Sequence, residues 1–398
     1  MANRLVMLGA GPYQIPGILK AQELGLEVIA CSYLPDDPGM AIADYAENLD
    51  ITDKKGILRV VQEYQADGIM TMCSDAGVQT VGYVNDKLGL TGINEEAGEI
   101  CSNKDLMKEV FKKSKIKNSS FLKVNSLKEA HEGFEQLGGK IVFKPTDCSG
   151  SRGVVKVLKK EDIPKAFEES CKHTKKNYII MEEMISGEEF GSQTLVIDGK
   201  VIFNFCHNDF VSSGEITIPI GHSYPFRKDP ELEEKALCEI TKATKALKIT
   251  NAQLNCDFIL KDDEVYLLEI GARMGGTSLP QLTQNYTGLD WIRIAIDLAL
   301  GQLSPEKIIN QKLFNMPTAS TLIFSNTAGI FRRIIMPEWL KNDNTVTHLV
   351  VDVKKGDSVR KFKFGPDRIG EIVFAAESLD EVETKVKRFL EEISVEVI

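Results

Sequence analysis

The chain has 398 residues, 43% hydrophobic and 27% charged, and 48 Lys and Arg against 58 Asp and Glu leave a net charge of −10. That length exceeds one compact core and calls for two to four lobes. The acidic balance is spread along the chain, which excludes a general nucleic-acid binder but permits phosphate ligands held by a few local cations and backbone N–H groups.

No stretch approaches the ~18 apolar residues of a membrane helix. The start, Met1-Ala2-Asn3-Arg4, leads into a short apolar run ending at Gly9, with no h-region of signal-peptide length. A cytoplasmic protein with no membrane partner is therefore expected. The eight cysteines form no CxxC pair and show no zinc-ligand spacing. Buried, reduced thiols are the expectation.

In chain order, Arg4–Leu8 reads as a buried strand, 14–24 as a helix, 27–31 as a strand and 54–64 as a helix. A strand over 68–72 and a helix over Val78–Leu88 follow. This βαβαβ order predicts a parallel, doubly wound sheet. Its ligand loops should lie at the carboxyl ends of the strands, at 9–14, 32–38 and 73–77. Gly9-Ala10-Gly11 invites a dinucleotide reading, but Gln14 stands where the fingerprint needs a third glycine, and no acid closes the second strand. A structural turn, or a loop bordering a different substrate, is the alternative.

From Asn103 the pattern changes. A Lys-rich helix (Lys104–Lys113) precedes strands at Phe121–Val124, Ile141–Lys144 and 154–157, a helix at 163–172 and a strand at 178–182, forming a small α+β lobe. Longer strands at 191–197 and 200–208, a helix at 231–247, acidic strands at 255–260 and 264–269 and a helix ending near Gly301 come next. Residues 315–398 read as strands with a last amphipathic helix at 379–393.

Three clusters carry chemistry. Lys144 ends a strand and is followed by Ser149-Gly150-Ser151-Arg152-Gly153, a small, flexible loop suited to a flap over a polyphosphate; an ordinary Gly-rich hairpin is the alternative. The apolar strand ending at Glu182 runs into Glu183-Met184-Ile185, a linker whose backbone suits an adenine edge. Glu189, seven residues beyond Glu182, suits ribose hydroxyls, although acidic surface residues are usually just solvated. Asp257 and Glu269 lie on two strands joined by the 261–264 turn. Carboxylates brought together on a hairpin repel unless a cation lies between them, and oxygen ligands shared with phosphate suit Mg2+. Arg273 and Gly275-Gly276-Thr277-Ser278 follow, with an arginine and helix-opening N–H groups for an anionic intermediate.

The order Lys104, Lys144, Gly loop, Glu-Glu-x-x-x-Gly-x-Glu, Asp257, Glu269 and Arg273 resembles the ATP-grasp superfamily over roughly residues 1–300. The Gly-Ala-Gly-Pro-Tyr-Gln start and the Glu-x-Gly-x-Arg-x-Gly-Gly stretch are similar to L-amino acid ligases and carbamoyl-phosphate-synthase-like members. The tail around Lys355-Gly356-Asp357 and Arg368-Ile369-Gly370 resembles their small C-terminal domain more faintly. The resemblance implies a mixed α/β and α+β architecture. An N-terminal doubly wound parallel domain spans 1–102 and a two-lobed ATP-grasp domain spans 103–300, with lobes of about 111–183 and 184–300. A small C-terminal α+β domain spans 301–398.

The resemblance also implies roles. Lys104 and Lys144 would bind ATP phosphates under the flap Ser149, Gly150, Ser151 and Gly153. Glu182 would face the adenine amino group through its carbonyl, Met184 or Ile185 would donate to the ring, and Glu189 would hold the ribose. Leu268 would pack on the base, and Asp257 and Glu269 would ligate one or two Mg2+ ions, or Mn2+ in their place. Arg273 would steady the transferred phosphoryl group. Many members have Asn two residues after the second acid, where Gly271 stands here, which leaves the metal count open.

The implied chemistry is an ATP-dependent carboxylate–amine (or carboxylate–thiol) ligation through an acyl phosphate. Its partners would be small-molecule carboxylates and amines, with a homodimer as an allowed assembly. The segments 208–215 and 221–225 face the site in related ligases, and His222 is a candidate base or substrate contact, although a lone histidine is more often structural or merely exposed. Two other readings stay open: a purine-pathway ligase resembling glycinamide ribonucleotide synthetase, and a silent ATP-binding regulatory module.

Overall fold

The structure is a computed structural model that describes residues 3–148, 150, 152–211, 219–227 and 230–398. The chain divides into two compact units. One comprises Met1–Phe205, Asp229–Gly276 and Ile292–Asn310; the other comprises Cys206–Lys228, Thr277–Trp291 and Gln311–Ile398.

The first unit begins with a four-stranded parallel sheet in the order Tyr45–Asn48, Glu27–Ser32, Arg4–Leu8, Gly68–Thr71. Helices Ile15–Glu23 and Lys54–Glu63 provide crossovers, as parallel strands require. The central strand is an uninterrupted apolar run, Leu5 to Leu8, wholly buried, which is the pattern of a sheet covered on both faces. The edge strand Tyr45–Asn48 escaped the sequence reading because it is short and largely exposed, with no apolar alternation. Gln14 does not leave its loop open. Its Nε2 donates to the Met72 carbonyl at 2.5 Å and its Oε1 accepts from the Gly11 N–H at 3.0 Å. The amide thus ties Gly11 to Met72 where a dinucleotide fingerprint has a glycine for close helix–strand packing.

The same unit contains an antiparallel sheet ordered Phe121–Val124, Ile179–Glu183, Ile141–Lys144, Val155–Val157. Helices Leu127–Gln136 and Ile163–Cys171 pack on it around Phe134, Phe143, Ile163 and Met181. The helix Leu127–Gln136 was not anticipated, since Gly133 interrupts its pattern. In the structure Gly133 is the contact point: a Cβ there would lie 2.1 Å from Cε of Met181. A third sheet runs Glu264–Gly271, Ala252–Lys261, Glu188–Ile197 and the start of Lys200–Val211.

The second unit contains the end of that last strand, then Pro219–Tyr224, Thr318–Ile323, Gly370–Ala375 and Val346–Val351, in that order. Helix Leu379–Glu392 packs on this sheet through Val382, Val386 and Phe389, against Ile372 and Phe374. Among the described residues no helix is long and apolar enough to cross a membrane.

Candidate functional site

Asp257 and Glu269 stand directly opposite each other on the hairpin Ala252–Lys261/Glu264–Gly271. The register shifts just beyond Asp257, where Phe258 faces Leu267, so half-buried Leu268 is the extra residue of a bulge. Such a bulge re-aims side chains locally. An ammonium group already sits against one member of this pair: Lys104, the first residue of helix Lys104–Lys113, places Nζ 2.5 Å from Glu269 Oε1 and 3.0 Å from the Cys148 carbonyl. Burial would lower the Lys104 pKa, but Glu269 and then Asp75 outweigh it and raise it. Two facing carboxylates, one of them already drawing a cation, fit a divalent ion shared with phosphate oxygens.

Lys144, at the end of its strand, points at Glu182 on the neighbouring strand, with Nζ to Oε2 at 3.1 Å. Glu182 is buried and also takes Lys108 at 2.8 Å and the Ser119 hydroxyl at 2.7 Å, while its Oε1 has no hydrogen-bond partner among the described residues. Burial alone would raise the Glu182 pKa; the charges of Lys108 and Lys144 overcome it and pull it down to about 2. Burial, with repulsion from Lys144, lowers Lys108 to about 8 against the pull of Glu182. The Glu182 side chain is therefore the counter-ion of two lysines, a role that sequence reasoning missed. Lys108 lies four residues after Lys104 on the same helix, and that spacing was the available signal.

The linker after Glu182 is tied to its neighbours. Glu183 N–H donates to the Ser120 carbonyl at 2.9 Å and Met184 N–H to the Lys140 carbonyl at 3.0 Å. With the Met184 N–H taken by the Lys140 carbonyl, Ile185 is the remaining candidate ring donor. Glu189 is exposed, 3.9 Å from Lys156 Nζ. In the loop after Lys144, Gly150 (φ +66°) has open space around its Cα, whereas a Cβ on Gly153 (φ +71°) would meet Pro145 and His173 at 2.7 Å. Ser149 and Ser151 lie outside the described residues.

Arg273 donates through Nη2 to Asp75 Oδ2 at 2.9 Å, and its buried Nε has no hydrogen-bond partner among the described residues. Asp75 belongs to the 73–77 loop at the carboxyl end of the parallel sheet. The loop was anticipated, but this residue was not. Burial works against the charge of both groups, yet the Asp75 pKa is lowered by Arg273 and the Arg273 pKa is raised by Asp75. This pair also accounts for Gly271. A Cβ there would lie 2.9 Å from Asp75 Oδ1 and 3.0 Å from Arg273 Cζ. Gly271→Ala is accordingly expected to destabilise the protein by about 1–3 kcal/mol through overpacking, measurable by thermal denaturation. An unchanged midpoint would show that the ion pair yields freely.

In the second unit, His222 lies opposite Asp209 on the neighbouring strand. Asp209 Oδ1 is 2.7 Å from Nδ1 of His222 and 2.8 Å from Nδ1 of His207. Burial opposes ionisation of Asp209, but the two imidazoles hold its pKa well below the carboxylate range. One ionised oxygen facing both rings places a proton on each Nδ1. His222 is thus part of a buried His–Asp–His array rather than a lone histidine. Asn208, Asp209 and Phe210 are described, whereas Ser213, Gly214 and Glu215 lie outside the described residues.

The chain matches the family model of the ATP-grasp domain over residues 101–277 and that of the L-amino acid ligase C-terminal domain 2 over residues 321–397. It is 24% identical over 340 residues to the formate-dependent phosphoribosylglycinamide formyltransferase of Prochlorococcus marinus (strain MIT 9301), covering 81% of each chain. Among solved structures, it is similar to a phosphoribosylglycinamide synthetase from Anaerococcus prevotii, with TM-score 0.82, 30% identity and full coverage of both chains. It is also similar to an L-amino acid ligase from Bacillus licheniformis, with TM-score 0.85, 20% identity and coverage of 100% and 99%.

Proposed function

Because the chain belongs to the ATP-grasp ligases, we propose that it activates a small carboxylate, such as that of an amino acid, as an acyl phosphate and joins it to an amine, releasing ADP and phosphate. The observation that carries this reading is the facing pair Asp257 and Glu269, with Lys104 against Glu269. A carboxylate is a poor electrophile near neutral pH, and phosphoryl transfer supplies its leaving group. That transfer needs charge neutralisation and alignment more than covalent help from the protein.

Each group has a task in this reading. Lys104 and Lys144 exchange their present partners, Glu269 and Glu182, for the phosphates of ATP. Bound at Asp257 and Glu269, Mg2+ or Mn2+ supplies charge neutralisation of the phosphate oxygens. Arg273 keeps Asp75 on one edge and offers Nε to the transferred phosphoryl group. Ile185 N–H and the Glu182 carbonyl read the adenine edge, Leu268 packs on the base and Glu189 takes the ribose. The Gly150–Gly153 flap excludes the water that would hydrolyse the acyl phosphate. His222, held with its proton on Nδ1 by Asp209, is a candidate base for the amine. The proposed setting is the cytoplasm, with a homodimer as the assembly to test by light scattering.

Purified protein with Mg-ATP and pools of amino acids and small carboxylates is expected to release ADP and phosphate only with a matched pair. Tight ATP binding with no release from any pool would instead mark a silent nucleotide-binding module. A second reading, ligation in purine synthesis, draws on the two phosphoribosylglycinamide relatives. It is tested by adding phosphoribosylamine with glycine, or phosphoribosylglycinamide with formate. Release confined to those additions would replace the amino-acid reading. The loop Gly9–Gln14 favours the first reading, since it has no cationic side chain for a ribose phosphate and turns Gln14 inward.

A further inference from the structure

Gly271 leaves the metal-facing surface of the hairpin without the amide side chain that many relatives are expected to place there, and the structure holds an amide one strand away. Gln193, Asn255 and Gly271 lie in register across three neighbouring strands, as do Gly191, Asp257 and Glu269 beside them. Side chains two apart on a strand share a face, so Asn255 shares the face of Asp257.

The orientation of these amides follows from a backbone group whose polarity is fixed. Gly275 N–H can only donate, and it lies 2.8 Å from Gln193 Oε1. That makes the other end of the Gln193 amide its NH2 group, which donates to Asn255 Oδ1 at 2.8 Å and to the Ser192 carbonyl at 3.3 Å. Asn255 must then turn its own NH2 outward, where Nδ2 donates to Asp257 Oδ1 at 3.0 Å. The Gly275 peptide is held at its other end too, its carbonyl accepting from the Cys73 thiol at 3.1 Å. Gln193 is completely buried and Asp257 is exposed, so the chain of bonds runs from a rigid interior to a side chain at the rim.

We propose that Gln193 and Asn255 are positioning residues that hold the Asp257 carboxylate for the divalent cation, compensating across the strand for the missing side chain at position 271. The inference rests on the Mg-ATP reading of this site. An amide N–H donor fixes a carboxylate oxygen without neutralising the charge that attracts the ion. A lysine in the same place would compete with the cation. The relay also joins Asp257 to the Gly275-Gly276 turn beside Arg273, so the carboxylate and the turn are held as one unit.

The test is Mn2+ binding, followed by electron paramagnetic resonance in the presence of the non-hydrolysable β,γ-imido analogue of ATP. It compares wild type, Gln193→Met and Asn255→Leu. Partners that orient a metal ligand typically affect affinity by about 10–100-fold, and a loss of that size is expected in both variants. Gln193→Met is expected to lower the thermal midpoint, since it leaves the Gly275 N–H unpaired in the interior, but in both variants the affinity for a fluorescent ATP analogue in EDTA should stay at the wild-type value. Gln193 does not touch Asp257, so its variant is the decisive one. Mn2+ affinity within about two-fold of wild type in Gln193→Met, well short of that range, overturns the relay. So does an equal loss of metal-free nucleotide binding, which would mark a general structural defect. Should Gln193→Met fail to fold, Mn2+ affinity within about two-fold of wild type in Asn255→Leu would still overturn the proposal, since Asn255 is the relay's contact with Asp257. No nucleotide-dependent Mn2+ binding in wild type would overturn the Mg-ATP reading itself, and the relay's role with it.

Discussion

Replacing Glu269 by glutamine is expected to reduce ATP-dependent turnover by at least about 10³-fold, the scale on which single charge-stabilising groups act in phosphoryl transfer. Two functions meet in this side chain. It faces Asp257 across the hairpin, and it is the partner of Lys104. Glutamine keeps an oxygen that can accept from Lys104 Nζ, so the fold should persist with a circular dichroism spectrum like that of wild type. What is lost is the negative charge that attracts the cation and balances the lysine. Steady-state kinetics over a range of Mg2+ concentrations provides the check. If turnover is lost through weak metal binding alone, raising Mg2+ should restore part of it. Unchanged turnover would remove Glu269 from the metal site.

The second large effect is expected at Glu182. Glu182→Leu should destabilise the protein by about 3–5 kcal/mol, because it leaves buried Lys108 and half-buried Lys144 facing each other without a counter-ion. Urea denaturation measures this. The double variant Lys108→Met/Glu182→Leu should recover part of the loss, since removing both members of a buried pair spares the uncompensated charge. Recovery failing to appear would assign the effect to packing rather than charge. The same group sets a pH dependence. Its folded pKa is lowered to about 2 from an unfolded value of about 4.3. The stabilisation is therefore complete above the unfolded value and is lost as pH falls through that window towards 2. Glu182→Gln should flatten the stability profile there. Lys108 acts at the other end of the scale. With its pKa down to about 8, the folded state gives up its proton first, so this residue's penalty is relieved as pH rises from 8 towards the free-lysine value.

Much of this molecule was legible in its residues. The strands Arg4–Leu8, Phe121–Val124 and Ile141–Lys144 and the helices Val78–Leu88 and Lys104–Lys113 have the predicted limits, because apolar period and flanking turn residues mark them locally. The pairing of Asp257 with Glu269 was also accessible, since a short turn between two strands leaves few registers. What escaped notice depended on distant segments. Asp75 and Arg273 are separated by 198 positions and Lys104 and Glu269 by 165, and no local pattern predicts such contacts. The helix Leu127–Gln136 was hidden by Gly133, whose purpose is visible only once Met181 is seen against it.

By itself, then, the sequence determined the kind of chemistry: an ordered set of lysines, a flexible glycine loop, two acids on one hairpin and an arginine after them. It did so because hydrogen-bonding type, charge and periodicity are properties of single residues and their near neighbours. Only the tertiary structure decided which charge neutralises which. It made Glu182 the counter-ion of two lysines, tied Gly11 to Met72 through Gln14, explained Gly271 by the ion pair that fills its space and aligned Gln193 and Asn255 behind Asp257. The physical reason is that a buried charge or amide must find its partner wherever the fold brings one close, whatever the separation along the chain.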